Sequence, residues 1–395
     1  GGVSGVPPNR GRRVGREGRL PVRNERLSVY LHVPFCAGKC GYCSFYSEPP
    51  EAGDVAAYLD ALAAEIALWR GLLGSLSPRT LYVGGGTPSL LSPDEWGRLI
   101  ALLEGLGDWS RLEEATVEAN PSSLSDGLLN VWRTSFFTRV SLGVQSLDDA
   151  ELETLGRRHD AKLALEAMER LARSGLRMSV DLIFGIPGQT LRSWAASLRG
   201  VLDAGARHVS AYQLTLEPDT PMGLRSPILP DGYPLYRYTQ WFLPRRGFTQ
   251  YEISSYAPPG GECRHNLAYW RQEDVLALGP AAWGYLEGRR YANPGTLDAY
   301  LEAAGRNFPE AKTAGERLGP RARGVEAAIL SLRTRWGIDR EDFAERWGVP
   351  LLKEIEAVLM AIPPHLVRAD ERSLALTPAG MRVGNAIWSE VLCLL

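Results

Sequence analysis

Three cysteines fall within eight residues, as Cys36-x-x-x-Cys40-x-x-Cys43, on a stretch that also holds Gly38 and Gly41. Three thiolates so spaced are metal ligands in waiting. A cubane iron–sulfur cluster usually takes four cysteines, so three leave one iron open to a substrate or cofactor. Zinc is the alternative, although a structural zinc site calls for four closed ligands. His32 stands too near Cys36, on the preceding strand, to serve as the fourth. Inert core cysteines are the remaining reading. A second set lies far along the chain, in Cys263-Arg264-His265-Asn266-Leu267-Ala268-Tyr269-Trp270. His265 has the chemistry of an axial iron ligand, and Tyr269 and Trp270 offer flat apolar faces to a tetrapyrrole. A core histidine packed by two aromatics would read the same way. Cys263 is either a further thiolate or a buried cysteine.

These residues need a scaffold, and the sequence supplies one beyond residue 27. Apolar runs bounded by turn residues occur at Ser28–Val33, Thr80–Gly84, Ala115–Ala119, Arg139–Gly143, Arg177–Phe184 and His208–Leu216. Helical periodicity fills the intervals at Val55–Trp69, Asp94–Leu103, Ala161–Ser174 and Leu191–Asp203. Ser92-Pro93-Asp94-Glu95 marks one helix start with an N-cap serine, a proline at the first helical position and a capping-box glutamate. Strand–helix alternation predicts an α/β fold: a parallel sheet rolled into a partial, TIM-like (β/α)6 barrel. In such a barrel the loops after the strands share one rim. The cysteine cluster follows the first strand, Gly84-Gly85-Gly86-Thr87-Pro88 the second, Glu118-Ala119-Asn120-Pro121 the third, Gly143-Val144-Gln145-Ser146 the fourth and Asp181-Leu182-Ile183-Phe184-Gly185 the fifth. All of these features converge on one end.

Four segments are expected. Residues 1–27 form an arginine-rich disordered tail and 28–255 the barrel. Residues 256–321 make a linker region carrying the His265 motif, and 322–395 a mainly helical, winged-helix-like C-terminal domain with a hairpin near Leu366–Leu376. Composition narrows the function. Lys plus Arg is 44 against 46 Asp plus Glu, a net charge of −2, which gives no electrostatic case for nucleic acid or a membrane surface. No run approaches the ~18 apolar residues of a membrane span. Five cysteines in 395 residues exclude a disulfide scaffold and suit a reducing, cytoplasmic compartment. Direct membrane insertion is not expected, and any peripheral association would come through a partner.

At this cysteine spacing the chain resembles the radical S-adenosylmethionine (SAM) superfamily from about Tyr30 to the C-terminus. The resemblance implies a [4Fe–4S] cluster on Cys36, Cys40 and Cys43, an electron donor to it, and SAM chelating the open iron, where sulfur–carbon cleavage gives a 5′-deoxyadenosyl radical. Tyr30-Leu31-His32-Val33-Pro34-Phe35-Cys36, the Gly-Gly-Gly-Thr-Pro segment, Ser141–Ser146, Leu155-Gly156-Arg157-Arg158-His159 and Asp181–Thr190 resemble the coproporphyrinogen III dehydrogenase (HemN-like) group. That likeness implies SAM contacts at Tyr30, Tyr42, Gly85, Gly86, Thr87, Glu118, Gln145, Arg157 and Asp181. The Gly84–Gly86 turn is expected to let backbone approach the ligand where a side chain would collide.

Within the group, the dehydrogenase branch carries a further cysteine where this chain has Phe45. The motif His265-Asn266-x-x-Tyr269-Trp270 is instead similar to the HemW family of heme chaperones. That resemblance implies heme at His265, Tyr269 and Trp270, and delivery to acceptor hemoproteins such as respiratory enzymes. Many relatives have histidine at the position of Trp283, so heme ligation is expected to be weaker, different or absent here. The alternatives are an oxygen-independent coproporphyrinogen III oxidase and a radical SAM methyltransferase on another substrate. No residue is assigned as catalytic. The C-terminal helices permit a homodimer without demanding one.

Overall fold

The computed structural model describes residues 26–308 and 315–395, so the segment expected as a disordered tail lies outside the described residues except at its last two positions. Six parallel strands run in sequence order: β1 (Ser28–Val33), β2 (Thr80–Gly85), β3 (Glu114–Ala119), β4 (Arg139–Gln145), β5 (Arg177–Phe184) and β6 (His208–Gln213). Between them lie α1 (Asp54–Leu73), α2 (Pro93–Glu104), α3 (Asp126–Arg133), α4 (Asp149–Leu155), α5 (Ala161–Ser174) and α6 (Leu191–Asp203). The capping box is present at α2, where Ser92 accepts from the Glu95 N–H and Glu95 reaches back to the Ser92 N–H. Such a cap is worth about 1 kcal/mol.

Strand alternation explains how the sheet carries a site. The positions Val29, Leu31, Leu81, Val83, Ala115, Val117, Val140, Leu142, Val180, Leu182 and Val209 are buried in one core with α1, α2, α3, α5 and α6. The intervening positions are polar and bond to one another across strands: Thr80 to Ser28, Tyr82 to Glu118, Arg139 and His208 to Ser179, and Ser141 to Asp181. A parallel sheet covered by helices usually reads as near-continuous apolar runs. Here one face is apolar toward the helices and the other is a polar interior. Side chains of β2 and of β6 line one cavity, which requires the sheet to curl.

After β6 come α7 (Pro221–Arg225), α8 (Tyr233–Phe242), β7 (Thr249–Gln250), β8 (Ser255–Ala257), α9 (Arg264–Trp270), β9 (Val275–Leu278), β10 (Trp283–Leu286), β11 (Arg289–Ala292), α10 (Leu297–Gly305) and β12 (Glu316–Arg317). The region 256–321, expected as a linker region, contributes strands β9 to β12 and most of β8 to the sheet. β9 pairs parallel with β1 and β8 antiparallel with β6, giving twelve strands in the order β12-β11-β10-β9-β1-β2-β3-β4-β5-β6-β8-β7. The four apolar residues Val275–Leu278 are wholly buried, which accounts for their place beside β1.

The C-terminal part has its own core around Val325, Leu332, Phe343, Ile355, Leu359, Leu374 and Ile387. It comprises α11 (Pro320–Leu332), β13 (Ile338–Asp339), α12 (Arg340–Trp347), α13 (Val349–Met360), β14 (Val367–Ala369), β15 (Ser373–Leu376), α14 (Pro378–Arg382) and α15 (Gly384–Leu392). The hairpin expected near Leu366–Leu376 is β14–β15, and the Thr377 side chain caps α14.

Candidate functional site

The loop after β1 is pinned at both ends. Cys36 N–H bonds to Glu48 O and Glu48 N–H to Pro34 O, while Gly41 N–H bonds to Leu155 O and Met222 N–H to Gly41 O. Cys36, Cys40 and Cys43 are half-buried free thiols on the wall of a cavity of about 410 Å3. Arg157 Nη1 donates to Cys40 Sγ at 3.4 Å, and Cys36 Sγ lies 3.3 Å from Thr87 Oγ1. Burial pushes the Cys43 thiol up. Among the described residues no three His, Cys, Asp or Glu side chains form a group that could hold a single metal ion. Three thiols at the edge of a roomy cavity fit a cluster that leaves one iron facing that cavity.

Eight of the nine residues expected to touch SAM line this cavity: Tyr42, Gly85, Gly86, Thr87, Glu118, Gln145, Arg157 and Asp181. Tyr30 is the exception. Its hydroxyl bonds to His32 Nδ1 at 3.1 Å and its ring stacks on Tyr82, outside the cavity wall. The glycine turn also works differently from expectation. A Cβ at Gly84 would fall 2.8 Å from the Glu118 carboxylate, at Gly85 2.7 Å from the His32 ring, and at Gly86 2.4 Å from Phe35 O. These glycines make room for protein atoms, on a turn whose Gly85 and Gly86 also line the cavity.

The electrostatics favour a cationic or zwitterionic guest. Burial raises Glu118 to about 7, Asp181 adding to it while bonds from Tyr82 and Gly85 oppose it. Burial also raises Asp181. Burial opposes the charge on Arg157, but Tyr42 and the Cys40 sulfur beside it hold it above its ordinary value. Its Nε is buried without a partner, and such an orphan donor in a cavity wall calls for an acceptor. Gln145 sits at φ 65°, after a register shift in β4 between Gly143 and Gln145. A non-glycine residue in this region is strained and clusters at functional sites. Carboxylates, an arginine and an amide around one cavity fit an amino-acid zwitterion and ribose hydroxyls. Sequence reasoning gave no contact role to Phe45, Tyr82, Ser141, Tyr212 or Thr215, which stand on the same wall; the strand period alone could have found Tyr82, two residues after Thr80 on the interior face.

The His265 motif lies at the opposite end. α9 closes the barrel below β1–β4, with Cys263, His265 and Tyr269 directed into the interior. His265 is 1 % exposed; its ring stacks on Tyr82 (5.2 Å, 29°) and meets Tyr269 edge-on. Thr80 gives its proton to Ser28, so His265 Nδ1 must be the donor to Thr80 Oγ1 at 2.8 Å. Burial, with Arg139 adding to it, lowers the ring to about 3. His265 is thus neutral, and Nε2 is a bare lone pair without a partner. That is the chemistry of an iron ligand, but access is closed. A smaller cleft of about 260 Å3 on the outer side of α9 is lined by Arg79, Glu113, Arg264, Arg271 and Trp336, and not by His265, Tyr269 or Trp270. Trp270 turns the other way, beneath the Arg333 guanidinium. Burial raises the Cys263 thiol to about 12, so at neutral pH it is a protonated donor beside Glu114.

Comparison with known proteins agrees with this geometry. Residues 30–199 match the radical SAM superfamily and residues 318–383 the HemN C-terminal domain. The heme chaperone HemW of Lactococcus lactis is 34% identical over 375 residues, covering 92% of this chain and 97% of that protein. The heme chaperone HemW of Mycobacterium tuberculosis is 37% identical over 385 residues, covering 94% and 96%. Among solved structures, coproporphyrinogen III oxidase (HemN) from Escherichia coli, a radical SAM enzyme, superposes with a TM-score of 0.80 at 22% identity, over 94% of this chain and 91% of that one. At that identity the likeness speaks for the fold alone.

Proposed function

The chain belongs to the heme chaperone HemW family, and from that premise we propose that it binds heme and hands it to acceptor hemoproteins, on a radical SAM scaffold. The observation that carries the reading is the near-complete length over which the HemW relatives match.

Cys36, Cys40 and Cys43 would hold a [4Fe–4S] cluster. Tyr42, Gly85, Gly86, Thr87, Glu118, Gln145, Arg157 and Asp181 would hold SAM, with Tyr30 steadying the wall from behind. Together, when bound, these groups supply one-electron chemistry at a sulfonium. The protein's own contributions are electrostatic and steric. Arg157 offsets thiolate charge beside Cys40, Glu118 and Asp181 present acceptors for an ammonium group and hydroxyls, and the curled sheet shapes the cavity around them. His265 would ligate heme iron through Nε2, with Tyr269 and Trp270 as apolar walls. Since the ring is sealed in, this requires α9 to swing away from the barrel.

An electron donor to the cluster, respiratory enzymes among the acceptors and a homodimer belong to the same proposal. So does a cytoplasmic location, peripheral to the membrane through a partner. Among the described residues no helix is long and apolar enough to cross a membrane. The test is heme titration of anaerobically reconstituted full-length protein, following the Soret band, with metal assayed on the same sample. About four iron and four sulfide per chain, a saturable heme site and transfer to an apo-hemoprotein are expected. A full cluster without a heme site would overturn the chaperone reading, and turnover of coproporphyrinogen would replace it with the oxidase.

A further inference from the structure

We infer that Tyr82 and His265 are positioning residues of the SAM pocket, and that α9 is the floor on which that pocket's buried carboxylate, Glu118, is held. This rests on the reading that the cavity takes SAM. It assigns the α9 histidine a task in the closed molecule, before any heme is present.

The connection is continuous and short. Glu118 has both oxygens engaged: Oε1 accepts from the Tyr82 hydroxyl at 2.8 Å and Oε2 from the Gly85 N–H at 3.1 Å. Gly84 leaves the carboxylate just enough room, as the 2.8 Å approach of a Cβ there shows. One of these two donors is backbone and cannot move without β2. The other sits at the end of an aromatic ring, so its height is set by what that ring lies on. Tyr82 touches Tyr30 on β1 (6.3 Å, 26°) and His265 on α9 (5.2 Å, 29°). His265 is fixed in turn by its bond to Thr80 and by Tyr269 edge-on.

Each link is directional or close-packed, and interiors packed at this density pass a displacement on. Truncating His265 removes a support of the Tyr82 ring. Removing the Tyr82 hydroxyl leaves Glu118 with one donor in a low-dielectric site, which disfavours the carboxylate that would meet the SAM ammonium. Tyr82 also lines the cavity itself, so the chain from α9 to the pocket contains no gap.

The experiment is calorimetric titration of the full-length, cluster-reconstituted protein with S-adenosylhomocysteine, which cannot be reductively turned over in the same way and reports binding alone. Iron and sulfide are assayed for every variant. Tyr82→Phe, which keeps the ring, should weaken binding ~10-fold, the scale of one lost hydrogen bond to a charged group. His265→Ala should weaken it ~3- to 10-fold on the same scale. Iron and sulfide content should not change. Arg264→Ala, on the outer face of the same helix, should stay within about twofold, as surface changes do. The deciding readout is coupling: on a Glu118→Gln background, His265→Ala should cost little more, because both act through one group.

Losses that simply add would assign α9 a general structural role and overturn the inference, as would unchanged affinity in Tyr82→Phe and His265→Ala. If His265→Ala fails to fold, Tyr82→Phe and its cycle with Glu118→Gln carry the decision. No binding to the unmodified protein would sink the SAM reading and this inference with it. Binding that none of these variants alters would sink only the inference.

Discussion

The two ends of the barrel are made from the same strands and much the same side chains, and they behave as opposites. At the floor, Arg139 donates to Ser179 and Cys263, Glu114 accepts from Arg177 and the His265 N–H, and His208 is bonded through both nitrogens, to Ser179 and Tyr251. At the rim, Glu118 and Asp181 face a cavity, Arg157 keeps a buried N–H without an acceptor, and Gln145 is held in a strained conformation. Polar residues in a barrel interior therefore do not by themselves mark a site. What distinguishes the rim is bonding capacity left open toward a space large enough to fill. At the floor, His265 keeps a bare Nε2 beside that bonded network.

The largest effect should come from the rim. Cys36→Ala, Cys40→Ala or Cys43→Ala is expected to abolish bound iron and sulfide. Folding stability should shift by no more than about 0.5 kcal/mol, because the thiols are only half-buried at a loop. Heme binding should be largely kept. Equal loss of heme and cluster would merge the two ends into one site and break the comparison. Next comes the floor: Arg139→Met should cost about 3 kcal/mol or more in denaturant unfolding, since it removes the cation from an enclosed network that includes Glu114. Metal content should stay normal. A variant that lost iron before it lost stability would mean that the floor is not a separate structural layer.

How much of this was readable from residue types alone follows the same division. The bounds of β1, β5, α5 and α6 agree with the alternation and periodicity of the sequence, and the capping box at Ser92 is where Ser-Pro-Asp-Glu places it. The cysteine loop and eight residues of the cavity wall were reachable because family motifs sit at strand ends. The remainder needed three dimensions. Glu114 looks like a surface glutamate ahead of a strand, yet it is fully buried because α9, 150 residues later, covers it. Tyr82 reads as a strand aromatic, and nothing local says that its hydroxyl meets Glu118. Gly84–Gly86 signalled close approach correctly, but the approaching atoms belong to Glu118, His32 and Phe35. The strand character of Val275–Leu278 was hidden because four apolar residues carry no period of their own.

A smaller effect sharpens the rim through pH. Glu118, raised to about 7, is faced by Tyr82 and Gly85 as donors, by Asp181 and by Arg139. As pH rises through that value the group becomes a carboxylate and attracts the ammonium of an amino-acid ligand. Affinity for S-adenosylhomocysteine should therefore climb several-fold between about pH 6 and 8 and level off above, following ionisation of a single group. Glu118→Gln should flatten the profile. A profile that survives this substitution would move the titrating group elsewhere, with Asp181 the first alternative.

The smallest expected effect concerns Trp283, at a position where the family resemblance implies a histidine. It is 63% exposed on β10, two strands beyond β1, whereas His265 is 1% exposed beneath Tyr82. In the closed molecule the two do not share an environment, so a tryptophan at 283 removes no neighbour of His265. Trp283→His is expected to leave unfolding stability within about 0.5 kcal/mol, as exposed positions generally do, and to leave the Soret position of the heme-loaded protein unchanged. His265→Ala, by contrast, should alter that spectrum. If Trp283→His shifts the Soret band while His265→Ala does not, heme iron is met from the sheet edge and not from the floor. The bare Nε2 of His265 would then be a consequence of packing beneath Tyr82, with its task confined to the pocket above.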